Sequence, residues 1–205
     1  MAVTAKLARG AARKPGGASR RHAQAVLYFQ EGTQDKPMTL QLRHETPDDI
    51  SAIEAITVAA FADAPHTSHT EQFIVRELRA AGALALSLVA EIDEQIVGHV
   101  AISPVTISDG SLHWFGLGPI SVIPQEQRQG IGSALMQAAI SALHAQSARG
   151  CVLLGDPDYY RRFGFRTVPG LVLPGVPAEY FQTLSFEGPP PQGQVSYHRA
   201  FNARD

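Results

Sequence analysis

Only one cysteine, Cys151, occurs among the 205 residues. That excludes an intramolecular disulfide framework and any multi-cysteine zinc site, and the expected address is a reducing compartment, the cytoplasm. No window approaches the roughly 18 consecutive apolar residues that a membrane-spanning helix needs, so no membrane is expected among the partners. Charged residues are sparse at 18 % and aromatic residues at 7 %, while apolar residues make up 44 %. Such a composition belongs to a globular chain with a sizeable core, not to a disordered or fibrous one. At this length one domain is the default, since chains divide only beyond roughly 250 residues.

Acidic residues are absent from residues 1–30, which carry Lys6, Arg9, Arg13, Lys14, Arg20 and Arg21. These six leave 11 of the 17 Lys and Arg against all 19 Asp and Glu, so the remainder stands at −8 beneath a whole-chain charge of −2. An acidic body argues against nucleic acid as a partner; a cationic amine meets no such penalty. Residues 1–37, with Pro15-Gly16-Gly17 and no sustained apolar period, are expected to be a disordered basic extension, and 38–205 the domain. Met38 directly precedes the first strand-like run and is an alternative start.

From Thr39 to Arg43 apolar and polar residues alternate as in a half-buried strand. Thr46, Pro47 and the acids Asp48 and Asp49 then open a helix, supplying a cap, a residue suited to the first turn and negative charge at the positive end of the dipole. Ile50, Ile53, Ile56, Ala60 and Phe61 give it an apolar stripe. A second short helix is expected over 70–81. Strand-like runs follow at 84–92, 96–107 and 112–123, the first two joined by Asp93-Glu94-Gln95, a connection of hairpin length. After this antiparallel meander come a loop at 124–129, a helix over 130–147, a strand at 151–154, a helical turn near 158–163 and a final strand near 194–198. Pro189-Pro190-Pro191 reads as a loop between edge strands.

The chemically informative segment is Val122 to Leu135, where a strand ends, a loop carries two glycines and a helix begins. The first amides of such a helix lack intrahelical partners, so Gln129, Gly130, Ile131, Gly132 and Ser133 can direct N–H groups at a phosphate. Nucleotide-hydrolase loops need a lysine after the second glycine, and none is present. The dinucleotide fingerprint needs a third small residue where Leu135 stands, and a meander precedes it instead of a βαβ unit. An oxidoreductase is therefore the weaker alternative.

Gln127-Arg128-Gln129-Gly130-Ile131-Gly132 has the Q/R-x-x-G-x-G/A form of the pyrophosphate loop of the GCN5-related N-acetyltransferase (GNAT) superfamily, and the chain resembles that superfamily. Leu42-Arg43 through Phe61 looks like its opening strand and first helix, and Tyr160-Arg161-Arg162-Phe163-Gly164-Phe165 has its Y-x-x-x-G-F form; together the likeness covers roughly residues 40–165. It resembles in particular a bacterial subfamily of predicted acetyltransferases. The resemblance implies an α/β fold whose mixed, mainly antiparallel central sheet is flanked by helices and splayed at the third to fourth strand. It also implies transfer of an acetyl group from acetyl-CoA, as co-substrate and without a metal, to a primary amine of a small molecule or peptide. An acyl-CoA-binding protein without turnover is the alternative. Dimers are common in the superfamily, so a homodimer stays open.

By the same resemblance the loop amides and Arg128 hold the pyrophosphate, and the backbone of Ile120, Ser121 and Val122 binds the pantetheine arm like an added strand. Tyr160 stands where the family often places the tyrosine that protonates the coenzyme A sulfur. No general base is evident. Strand alternation puts Trp114, Gly116, Gly118 and Ile120 on one face, where the two glycines leave a gap that supplies room but no proton acceptor. His66 and His69 fall in the region that the family uses for acceptor specificity, and Glu54, Asp63 and Glu71 on the same two helices have the right chemistry for a base, with nothing in the sequence to select among them; His99 and His113 lie in strands and are expected to be structural or superficial. Cys151 is expected to be buried and structural.

Overall fold

The computed structural model describes residues 39–62 and 69–204, together with the backbone of Ala23 and Gln24. His66, Asp63 and all of the 1–37 extension except that residue pair lie outside the described residues. Fourteen elements follow in chain order: β1 (Ala23–Gln24), β2 (Leu40–His44), α1 (Ile50–Phe61), α2 (Glu71–Ala80), β3 (Leu86–Ile92), β4 (Gln95–Pro104), β5 (Thr106–Ile107), β6 (Trp114–Val122), α3 (Ile131–Ala145), β7 (Gly150–Leu154), α4 (Pro157–Tyr160), β8 (Leu171–Val172), β9 (Phe181–Ser185) and β10 (Gly193–Ser196). The main sheet has the order β1-β2-β3-β4-β6-β7-β9, and a small sheet has the order β5-β10-β8. All neighbours in the main sheet are antiparallel except β6 and β7.

Local chemistry explains most of these elements. Asp93 and Glu94 both take positive φ, 47° and 65°, the backbone of a two-residue turn whose twist matches the strands it joins, so β3 and β4 form the expected hairpin. The run expected at 96–107 is two strands: Pro104 cannot donate to a ladder, and the chain turns there from β4 into β5 of the small sheet. Asp49 accepts from the Thr46 amide and hydroxyl at 2.7 and 2.9 Å ahead of α1. Asp156 caps α4 by accepting from the Asp158 amide at 2.8 Å.

The principal core lies between the sheet and α3, where Ile131, Leu135, Met136, Ala139 and Leu143 bury one stripe against Leu88, Val100, Ile102 and Leu117. On the opposite face, Ile53 of α1 and Val75 of α2 pack against Val89 and Ala101. A further core joins Val105, Ile107, Trp114 and Val152 to Leu171, Phe181 and Val195 of the C-terminal segment. That segment is more than a tail. β9, which the sequence reading did not anticipate, pairs along all of β7 and extends the main sheet.

Candidate active site

β6 and β7 pair in parallel over only three positions, Trp114 with Gly150, Phe115 with Cys151 and Gly116 with Val152. Beyond Gly116 the strands diverge, and among the described residues no strand pairs with that side of the β6 edge from Leu117 to Val122. This is the splay expected between the third strand of the meander and the strand after it. The Ile123 amide donates to the Val97 carbonyl at 3.0 Å, and antiparallel pairs alternate between bonded and non-bonded. Ser121 opposite His99 is therefore a bonded pair, while Ile120 and Val122 turn their backbone groups toward the open edge. The Val122 carbonyl confirms this direction: it accepts from Gln127 Nε2 at 3.0 Å, which leaves the Ile120 N–H and C=O and the Val122 N–H facing the cleft.

One expectation about β6 is corrected. Ile120 does not share a face with Trp114 and Gly116, because Val100 pairs with Ile120 and Ile102 with Leu117, so two residues, Gly118 and Pro119, oppose Ala101. That bulge reverses the alternation. Ile120 joins Phe115 and Leu117 on the α3 side, and Ser121 falls on the α1 side. The Ser121 side chain is buried and meets Thr57 Oγ1 at 3.3 Å. Thr57 donates to the Ile53 carbonyl at 2.7 Å, so Ser121 is the donor between them, and only its backbone lies near the cleft.

At the mouth of the cleft stands the N-terminus of α3. Gly130, its cap, has φ 88°, a left-handed conformation that glycine adopts without a Cβ penalty. The first intrahelical bond runs from the Ala134 amide to the Gly130 carbonyl at 2.9 Å, and no side chain caps the end. The amides of Gly130, Ile131, Gly132 and Ser133 therefore point outward at the positive end of the dipole. Ile131 contributes only its backbone, since its side chain is buried in the core. Arg128 is exposed at φ 64°, and Gln129 Nε2 braces the loop on the Gln125 carbonyl at 3.3 Å.

The two adjacent tyrosines of α4 part here. A Cβ placed on Gly132 would lie 3.2 Å from the Tyr159 hydroxyl, so Tyr159 stands beside the helix N-terminus; Arg162 lies over its ring at 4.6 Å. Tyr160 turns inward, against Gly155 and edge-on to Phe165. Burial, then the nearby Tyr159 and Asp156, push its phenol up to about 12. A third phenol, missed in the sequence reading, comes from the C-terminal segment: the Tyr197 ring fills the space beside Gly116. The gap expected there is closed, whereas a Cβ on Gly118 would meet nothing within 4 Å. Nothing in the local sequence of either partner signals the Gly116–Tyr197 contact.

On the sheet face that carries Ser121, a polar chain leads from half-buried Arg79 and Glu45 to buried Ser87 and His99. Arg79 donates twice to Glu45, at 2.9 and 2.8 Å, Ser87 Oγ donates to Glu45 Oε2 at 2.5 Å, and Ser87 Oγ meets His99 Nε2 at 2.8 Å. Because the Ser87 proton is committed to Glu45, His99 Nε2 carries the hydrogen and Nδ1 does not. His99 is wholly buried, and desolvation holds its pKa down to about 4, so it is neutral and structural, as expected. Among the other candidate bases, Glu54 and His113 are exposed. Cys151 is wholly buried, and burial raises its thiol.

Comparison with known proteins decides the family. The acetyltransferase (GNAT) domain family matches residues 84–167. The uncharacterized N-acetyltransferase YhbS of Escherichia coli K12 is 37% identical over 125 residues, which are 60% of this chain and 72% of that protein. The chain belongs to the GNAT acetyltransferase family. Among solved structures, a GNAT family acetyltransferase from Brucella melitensis in complex with acetyl-CoA is 47% identical with a TM-score of 0.71, over 79% of this chain and 97% of that one. YhbS of Escherichia coli in complex with CoA is 32% identical with a TM-score of 0.74, over 84% and 97%. As a GNAT acetyltransferase, the chain shows the family's mixed sheet, and its splay opens onto the uncapped α3 terminus. Among the described residues no group of three His, Cys, Asp or Glu is placed to hold a metal, and no helix is long and apolar enough to cross a membrane.

Proposed function

We propose that this GNAT acetyltransferase transfers an acetyl group from acetyl-CoA to a primary amine of a small molecule or peptide. The observation that carries this reading is the continuity of two donor sets. The outward amides of Gly130 to Ser133 suit a pyrophosphate, and the open β6 edge at Ile120 and Val122 leads from them into the cleft. Arg128 adds a positive charge beside the loop, and Tyr159 lines the same mouth. An acetyl thioester bound there supplies an activated carbonyl carbon; the amine nitrogen forms a bond to that carbon, the carbon–sulfur bond breaks, and the amine proton is released as the thiol is restored.

Tyr160 is assigned to the departing sulfur. Free thiols titrate near 8.5, well below about 12, so this phenol stays protonated at neutral pH and donates a hydrogen bond to the charge that develops on sulfur. The acidic body, −8 outside the first 30 residues, favours a cationic amine as acceptor. The proton-accepting role is assigned to a water at the open space beside Gly118.

Calorimetric titration with acetyl-CoA, with NAD as control, tests this function. Micromolar binding of acetyl-CoA alone is expected. Gly132→Glu, which puts a carboxylate among the loop amides at a position with ordinary helical backbone, is expected to weaken that binding at least tenfold. Unchanged affinity in this variant would remove the pyrophosphate from the α3 terminus.

A further inference from the structure

The closed end of the cleft is built by residues far apart in the chain. β6 and β7 meet at Gly116 and Val152, so a group that follows the β6 edge inward from Val122 runs toward Gly116. Around Gly118 the space is open. At Gly116 β7 closes the edge, and over the sheet face at that point a Cβ would overlap Tyr197 Cε1 and stand 2.9 Å from Tyr197 Cδ1 and 3.1 Å from Val105 Cγ1. The ring is not loosely placed. Its chain follows β10, whose Val195 and Ser196 pair with Ile107 and Thr106 of β5. The ring itself lies against the Trp114 and Val152 cluster and 4.6 Å from the Phe201 ring. Glycine at 116 is what admits an aromatic ring so close to the strand.

We infer that Tyr197 is a specificity-determining residue that walls off the floor of the β6–β7 cleft and limits the acyl group to two or three carbons. A longer chain has to displace a ring held by two packed elements, or leave the cleft and expose its methylenes to water. The hydroxyl is not what sets the limit; the ring is. This inference rests on the reading of the cleft as the acetyl-CoA site.

Its test is a binding series, which needs no knowledge of the acceptor. Acetyl-, propionyl-, butyryl- and hexanoyl-CoA are titrated calorimetrically into the wild-type protein and into Tyr197→Phe, Tyr197→Leu and Tyr197→Ala, each checked by thermal melting for a folded state. Wild type and Tyr197→Phe are expected to bind acetyl- and propionyl-CoA alike and hexanoyl-CoA at least tenfold more weakly. Tyr197→Ala is expected to bring hexanoyl-CoA to within threefold of acetyl-CoA, with Tyr197→Leu between the two. Equal wild-type affinity for all four thioesters overturns the inference, and so does discrimination that survives in a folded Leu or Ala variant; either result with acetyl-CoA still bound leaves the proposed function standing. Failure of every thioester to bind overturns both.

Discussion

Tyr159 and Tyr160 are equivalent on paper, and backbone direction separates them. Tyr159 reaches the α3 terminus at Gly132, while Tyr160 packs on Gly155 and holds its proton well above neutral pH. Removing each hydroxyl should therefore affect different steps. Tyr160→Phe keeps the ring and its packing, so acetyl-CoA affinity should stay within about twofold, while turnover falls by roughly tenfold to a hundredfold because the departing sulfur loses a donor. Tyr159→Phe should show the reverse, a weaker complex with little change in the chemical step. Single-turnover rates set beside calorimetric affinities check the pair. Full activity in Tyr160→Phe would move the sulfur contact to another group.

At the scale of elements, the Glu45–Arg79–Ser87–His99 chain ties the end of β2 to α2, β3 and β4 through groups that must stay in fixed protonation states. His99 titrates near 4 folded and near 6.5 unfolded, so between those values the unfolded chain binds the extra proton and stability rises with pH. Conversely, stability should fall by roughly 3 kcal/mol as the pH drops from 6.5 to 4, and this contribution should level off below that. Glu45 and Asp49, both held below their usual range with Arg79 and Arg43 as partners, add losses only at lower pH. Urea midpoints at pH 7, 5.5 and 4.5 report the slope, which should flatten in His99→Gln; an unchanged slope would place the proton elsewhere. The sequence revealed those parts that depend on neighbours in the chain: the Asp93-Glu94 hairpin, the glycine loop and the Y-x-x-x-G-F turn. It concealed what depends on remote partners, namely β9, the Tyr197 ring over Gly116 and the polar chain through His99. The Gly118–Pro119 bulge is local but was not legible either, because an alternating pattern carries no mark of one extra residue until its partner strand is known.

Across the whole molecule every described element but β1 follows Leu40 or begins with it: the hairpins, the splay, the α3 terminus and the C-terminal segment that carries Tyr197. Before it, the described structure adds only Ala23–Gln24, two residues paired to the β2 edge at Leu42 and Gln41. Two ladder positions contribute little beside a core built from four clusters of buried side chains. A protein beginning at Met38 should therefore fold, bind acetyl-CoA within about twofold of the full chain and melt within a few degrees of it. Its net charge should move from −2 to −7, because seven basic and two acidic residues are removed, and ion-exchange retention should shift accordingly. Because β2 then becomes a bare edge, any added tendency to associate should appear as concentration-dependent light scattering, with ligand affinity unchanged. Loss of acetyl-CoA binding in a folded truncated protein would give residues 1–37 a place in the site, with their lysines and arginines joining Arg128 as proposed partners of the phosphates.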